Sequence, residues 1–106
     1  KHAELNQLEA EREALSREHT QQLEDELADY ERLNRAVHRT QDSLLPLAKE
    51  KVELSMASYR AGKGDLSSVV AARRELIEAR LKQIDLEEQR TLTSARLYFA
   101  YGESSQ

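Results

Sequence analysis

The chain has 106 residues and a net charge of −4 at pH 7, with 34% charged residues, 5% aromatics and no cysteine. So few large side chains cannot fill a thick globular core, and a composition led by Ala, Leu, Glu, Arg, Gln and Lys suits long helices and coiled coils. Disulfides and thiolate metal sites are excluded, as is a transmembrane helix, since no apolar run approaches the ~20 residues a bilayer requires. The acidity is local. Residues 1–30 hold three Lys/Arg against nine Asp/Glu, residues 31–61 hold six against four, and residues 62–106 hold seven of each. No basic stripe is present to follow a phosphate backbone, which argues against a nucleic-acid partner. No signal peptide is visible, and the chain opens at Lys1 without an initiator Met, as a mature chain or an excised fragment does.

The fold class read from the pattern is all-α: a long antiparallel two-helix coiled-coil hairpin with unequal arms. The first arm spans residues 1–61. Its apolar stripe runs Leu8, Leu15, Leu23, Tyr30, Val37, Leu44, Val52, Tyr59, in steps of 7 or 8 residues. That is about 3.64 residues per turn, close to a straight α-helix and away from the 3.5 period that forces a left-handed supercoil. Leu5, Leu27, Leu33, Ala48 and Met56 widen the stripe, while Arg12, His19 and Gln41 leave polar gaps in it. Pro46 interrupts the arm. A proline inside a helix removes a hydrogen bond and crowds the preceding turn at a cost of ~3 kcal/mol. Either the helix kinks there and is held by packing on both sides, or it breaks after Ser43-Leu44-Leu45.

Residues 62–64, Gly62-Lys63-Gly64, form the tip. Gly62 can end the first arm in a left-handed conformation, and Asp65 is placed to cap the next helix by accepting a backbone N–H. The second arm spans residues 65–101. Leu66, Val69, Val70, Leu76, Ile77, Leu81, Ile84, Leu92, Ala95, Tyr98 and Phe99 recur at three and four, which marks an apolar face. Gly102 is a terminator on the same grounds as Gly62, followed by a polar tail to complete residues 102–106. Pairing about residue 63 sets Met56 near Val70, Ala48 near Ile77 and Val37 near Glu88 or Gln89. At ~1.5 Å per residue the arms are ~90 and ~55 Å long, so residues 1–24 have no partner within the chain. A hairpin with one contact line buries little, and oligomers or a larger parent protein are the expectation.

The stretch Tyr59-Arg60-Ala61-Gly62-Lys63-Gly64-Asp65-Leu66-Ser67-Ser68-Val69-Val70 and the alanine-rich run up to Arg80 resemble the TolC-like outer-membrane efflux proteins, in which a helix ends in Tyr-x-x-Gly, turns, and resumes through a small apolar run. Ala95-Arg96-Leu97-Tyr98-Phe99-Ala100-Tyr101-Gly102 resembles the C-terminal repeat of the same family. The likeness covers residues 44–102, and residues 1–43 match as a charged long helix. The branch that exports heavy-metal cations is the most similar. This resemblance implies a homotrimer whose outer-membrane β-barrel continues as a helical tunnel through the periplasm. The present hairpin would be its periplasmic portion. The implied partners are a periplasmic adaptor protein and, through it, an inner-membrane pump. The implied docking residues are Arg60, Gly62, Lys63, Gly64, Asp65 and Leu66, with Tyr59 and Ser68 at the channel entrance. Some relatives carry an arginine at the position of Gly64 and aspartates at those of Ser68 and Ala71; this chain has none of those charges. A hairpin from the adaptor itself, or a generic coiled-coil scaffold, are the alternatives.

Other candidates have plainer readings. His2, His19 and His38 are 17 and 19 residues apart, not at the i, i+4 spacing that puts two metal ligands on one helix face, and read as surface residues. Glu24-Asp25-Glu26 with Asp29 reads as a solvated helix face, and Tyr98, Phe99 and Tyr101 as terminal packing. No nucleophile, base and orienting group fall together, so no enzymatic activity and no cofactor are expected.

Overall fold

The computed structural model describes residues 1–104, and Ser105 and Gln106, the end of the expected polar tail, lie outside them. The chain is a helical hairpin measuring 89 × 21 × 15 Å. Helix α1 spans His2–Arg39, a π-helical turn spans Thr40–Leu44, α2 spans Leu45–Arg60, and α3 spans Leu66–Ser104. The first arm is thus a single rod of α1, π turn and α2, nearly straight as its apolar period requires. The second helix runs on through Gly102, so that glycine does not terminate it.

One seam holds the arms together. From the first arm it takes Leu33, Val37, Thr40 and Ala48, and from α3 Val69, Ala72, Ala79, Thr93 and Leu97, all buried. Small residues dominate below the π turn and larger ones above it. Polar contacts between charged or amide groups also tie the arms across the seam: the Arg90 guanidinium donates to Asn34 Oδ1 at 2.9 Å, and Lys51 Nζ meets Glu75 at 3.5 Å. The second pair is half exposed, so it contributes little to stability. These contacts place the arms at the axial register expected from pairing about residue 63.

The rotation of α3 differs from the sequence expectation. The eleven apolar positions do not form one face. Val69 lies in the seam, whereas Leu66, Val70, Ile77, Leu81, Ile84, Leu92, Tyr98 and Phe99 are exposed, Ile77 at 56%. Val70 and Ile77 therefore sit at the height of Met56 and Ala48 without packing on them, and Met56 instead receives the Arg73 guanidinium at 3.9 Å. The reason is steric economy. A seam of Val69, Ala72 and Ala79 lets two helix backbones approach closely, and the bulkier residues are left on the far side.

The first arm slips phase at one place. An unbroken α-helix that buries Val37 and Ala48 would also bury Leu44. Instead Leu45 donates its N–H to the carbonyl of Thr40, five residues back, and the extra residue of the π turn rotates the face. Leu45 takes the inner position and Leu44 is 39% exposed. Pro46 follows in the first turn of α2. Having no N–H, it cannot continue the ladder, and the wide turn just before it absorbs the ring without a break. The proline neither splits the arm nor stands inside regular helix.

Beyond α3 the first arm stands alone. Every residue from 1 to 18 is exposed, including Leu5, Leu8 and Leu15, which continue the seam stripe with no partner among the described residues. This overhang is shorter than the unpartnered residues 1–24 expected from the unequal arms: α3 runs on to Ser104, and His19 and Leu23 are partly covered. The seam and the overhang should therefore respond differently to truncation. Leu33→Ala is expected to cost about 3 kcal/mol, and Leu15→Ala less than about 0.5 kcal/mol, in urea unfolding of the isolated hairpin followed by circular dichroism.

Candidate functional site: the hairpin tip and its edges

The tip is a Schellman motif. Gly62 has φ +75°, the left-handed region in which an L side chain is strained. That reversal lets the Lys63 N–H donate to the carbonyl of Ser58 at 2.9 Å and the Gly62 N–H donate to that of Tyr59 at 3.0 Å. These 6→1 and 5→2 bonds satisfy carbonyls that the end of α2 would otherwise leave open. Gly64 is needed for another reason. A Cβ there would lie 2.8 Å from Ser58 Oγ and 3.2 Å from Ser58 Cβ, so the chain doubles back against its own helix. Asp65 caps α3 through its backbone: its carbonyl accepts the Ser68 N–H at 3.2 Å. Its carboxylate makes no hydrogen bond among the described residues, so the side-chain cap expected from sequence does not form.

The compact turn pushes its side chains outward. Arg60, Lys63 and Asp65 are exposed, and none has an ion pair or side-chain hydrogen bond among the described residues. Leu66 is exposed beside them, and Tyr59 and Ser68 flank the turn, one on each arm, both also exposed. The six tip residues and the two flanking ones are thus brought together at one end of an 89 Å rod. They form a small apex, rich in backbone, with two free cations, one free carboxylate and one free leucine. The apex presents these charges and its backbone to solvent.

The other candidates are not assembled into a site. His2, His19 and His38 are spread along α1, and no group of His, Asp or Glu among the described residues is placed to hold a metal ion. Glu24 and Asp25 are exposed on α1, with Asp29 held by Arg32 at 2.7 Å. Among the described residues no helix is long and apolar enough to cross a membrane.

A second feature is larger than the tip and was not separated out by sequence reasoning. The exposed stripe Leu66, Val70, Ile77, Leu81, Ile84 lies roughly opposite the seam on α3, at ~100° per residue. On the first arm, exposed Leu47 and Leu54 sit seven residues apart and also away from the seam residues Ala48 and Val52. Each arm is therefore apolar on two sides, one packed and one bare. The bare side of α3 forms one long edge of the hairpin, and on the first arm Leu54 and Leu47, the latter also lining the groove between the arms, form the other at the same heights above the tip. The available signal was the Leu47–Leu54 repeat, out of phase with the Val37–Ala48–Val52 stripe, and the unusual breadth of apolar positions on α3.

Two substitutions separate the roles of the glycines. Gly62→Ala should cost about 1–2 kcal/mol, because a Cβ is forced into the left-handed region. Gly64→Ala should cost less, since rotation of the Ser58 hydroxyl relieves the closest contact. Lys63→Ala, at an exposed position, should be neutral within about 0.5 kcal/mol. Thermal melts of the three variants give this order, and an equal loss for all three would contradict it.

Comparison with curated proteins and with solved structures gives no match. The family model described as outer membrane efflux protein matches residues 1–103, which takes in both arms, the tip and the overhang. The paired unequal helices, the glycine apex and this match agree, and the chain belongs to the outer membrane efflux protein family.

Proposed function

We propose that this chain is a periplasmic tunnel hairpin of a trimeric outer-membrane efflux channel, and that its tip docks a periplasmic adaptor which links the channel to an inner-membrane pump. The observation that carries this reading is the pair of bare apolar edges. A hairpin that is apolar on both long sides and one helix thick suits side-by-side packing with further hairpins, so that every helix gains a neighbour on each side. Repeated around an axis, that contact is heterologous and closes into a ring. A ring of rods 89 Å long encloses a passage. The overhang of residues 1–18 adds the same logic at the far end, where Leu5, Leu8 and Leu15 extend the seam for a further helix.

In this reading the chain conducts and does no covalent chemistry, as befits a family of channels. Tyr59 and Ser68 line the entrance. Arg60, Lys63 and Asp65 orient the adaptor by charge, and Gly62 and Gly64 let its backbone approach. Heavy-metal cations are the cargo suggested by the resemblance to that branch.

The docking role is tested with charge reversal, which leaves the Schellman turn intact. Arg60→Glu combined with Lys63→Glu is expected to weaken binding of candidate adaptor hairpins by at least an order of magnitude, with unchanged helicity in circular dichroism. Unaltered affinity for every adaptor that binds the native protein would remove the tip as the contact.

A further inference from the structure

The first arm carries a local defect at mid-height, and three independent observations coincide there. The backbone changes from α to π over Thr40–Leu44, and Pro46, with no N–H, follows directly. The seam turns polar at the same level, with Thr40 only 4% exposed and half-buried Gln83 at a similar height on α3. The Gln83 amide donates to Glu87 Oε1 along its own helix at 3.0 Å, while its Oε1 is buried and accepts no hydrogen bond from the described residues. The space beside the seam is open as well: a groove of about 380 Å³ is lined by Thr40, Ser43, Leu44, Leu47, Lys82 and Leu86. Above this level Leu33 and Val37 pack with 1% exposure, and below it Ala48 packs near Ala79.

We infer that this level is a flexible joint, at which the tip segment of the first arm moves as a unit against the stem. The backbone there has lost a ladder hydrogen bond at Pro46. The opposing side chain leaves a buried acceptor unmade, so little free energy is lost when the seam opens at this point. Open space on one side gives Leu44 and Leu47 room to shift. Wide turns of this kind recur at functional sites within helices. The lever is long: the tip lies ~24 Å below the joint at ~1.5 Å per residue, so a bend of ~10° carries the apex by ~4 Å. The joint is a mechanical property of this hairpin alone. Its use in shifting the channel entrance rests on the function proposed above.

Amide hydrogen exchange of the full-length protein tests the joint without reference to transport. The amides of residues 44, 45, 47 and 48 are expected to exchange at least about tenfold faster than those of residues 33–37 above and 50–56 below, giving a local minimum of protection. A profile that is flat, or that falls steadily toward the tip, overturns the inference. Two variants sharpen the result. Deleting Gln41 together with Pro46→Ala restores a regular helix and should bring the minimum up to the level of its flanks. Gln83→Leu leaves the first arm untouched, removes the orphaned acceptor and should raise protection at the same amides. If neither variant changes exchange there, the coincidence of π turn, proline and glutamine does not act as a joint. If exchange behaves as expected but the tip variants leave adaptor binding intact, the joint stands and the docking role does not.

Discussion

Two helices in contact share one line of contact, and that limit governs the rest of this structure. Each arm can bury a single narrow stripe against the other. Apolar residues beyond that stripe stay in water unless another molecule covers them. The chain nevertheless carries a second stripe on each arm, Leu47 and Leu54 on the first and Leu66, Val70, Ile77, Leu81 and Ile84 on the second. Between the tip and the π turn α3 places its smaller residues, Val69, Ala72 and Ala79, in the internal seam and leaves larger ones such as Val70, Ile77 and Leu81 outside. For a protein meant to stand alone this distribution wastes its best packing groups. For one element of a wall of helices it supplies both neighbours at once.

The tip follows from a different constraint, the need to finish one helix and start another within five residues. Gly62 supplies the positive φ, and the Schellman bonds from Lys63 and Gly62 close the end of α2. Because the backbone satisfies itself, the side chains of Arg60, Lys63 and Asp65 are released from structural duty. The turn therefore holds its shape without drawing on those charges. That separation is why charge reversal at the tip can report docking, while substitution at Gly62 reports the turn.

Sequence patterns revealed the skeleton well. The glycine pair marks the reversal, the arm lengths give the overhang, and the 3.64-residue period gives a nearly straight rod. The phase of α3 was hidden for a physical reason. A helix that is apolar on two sides has no single moment, so spacing at three and four cannot tell the seam from the edge. The π turn was hidden too. It shifts the inner position from Leu44 to Leu45, a slip of one residue that a repeat of sevens and eights absorbs without trace. Pro46 signalled a local disturbance, but its form, a wide turn over Thr40–Leu44 just before the ring, has no signature in residue spacing. At the tip, the glycine roles were legible, whereas the carboxylate cap expected of Asp65 is replaced by a backbone bond.

The proposed channel wall requires the two bare edges to meet between copies. The most direct measurement is disulfide cross-linking of the assembled full-length protein. Leu47→Cys and Ile77→Cys place one thiol on each edge at similar height, in a stretch of chain with no cysteine of its own. Packing of edge against edge predicts intermolecular disulfides that form on mild oxidation and end in a closed three-chain species. Two thiols that both react freely with a soluble maleimide, yet never join one copy to another, would contradict it.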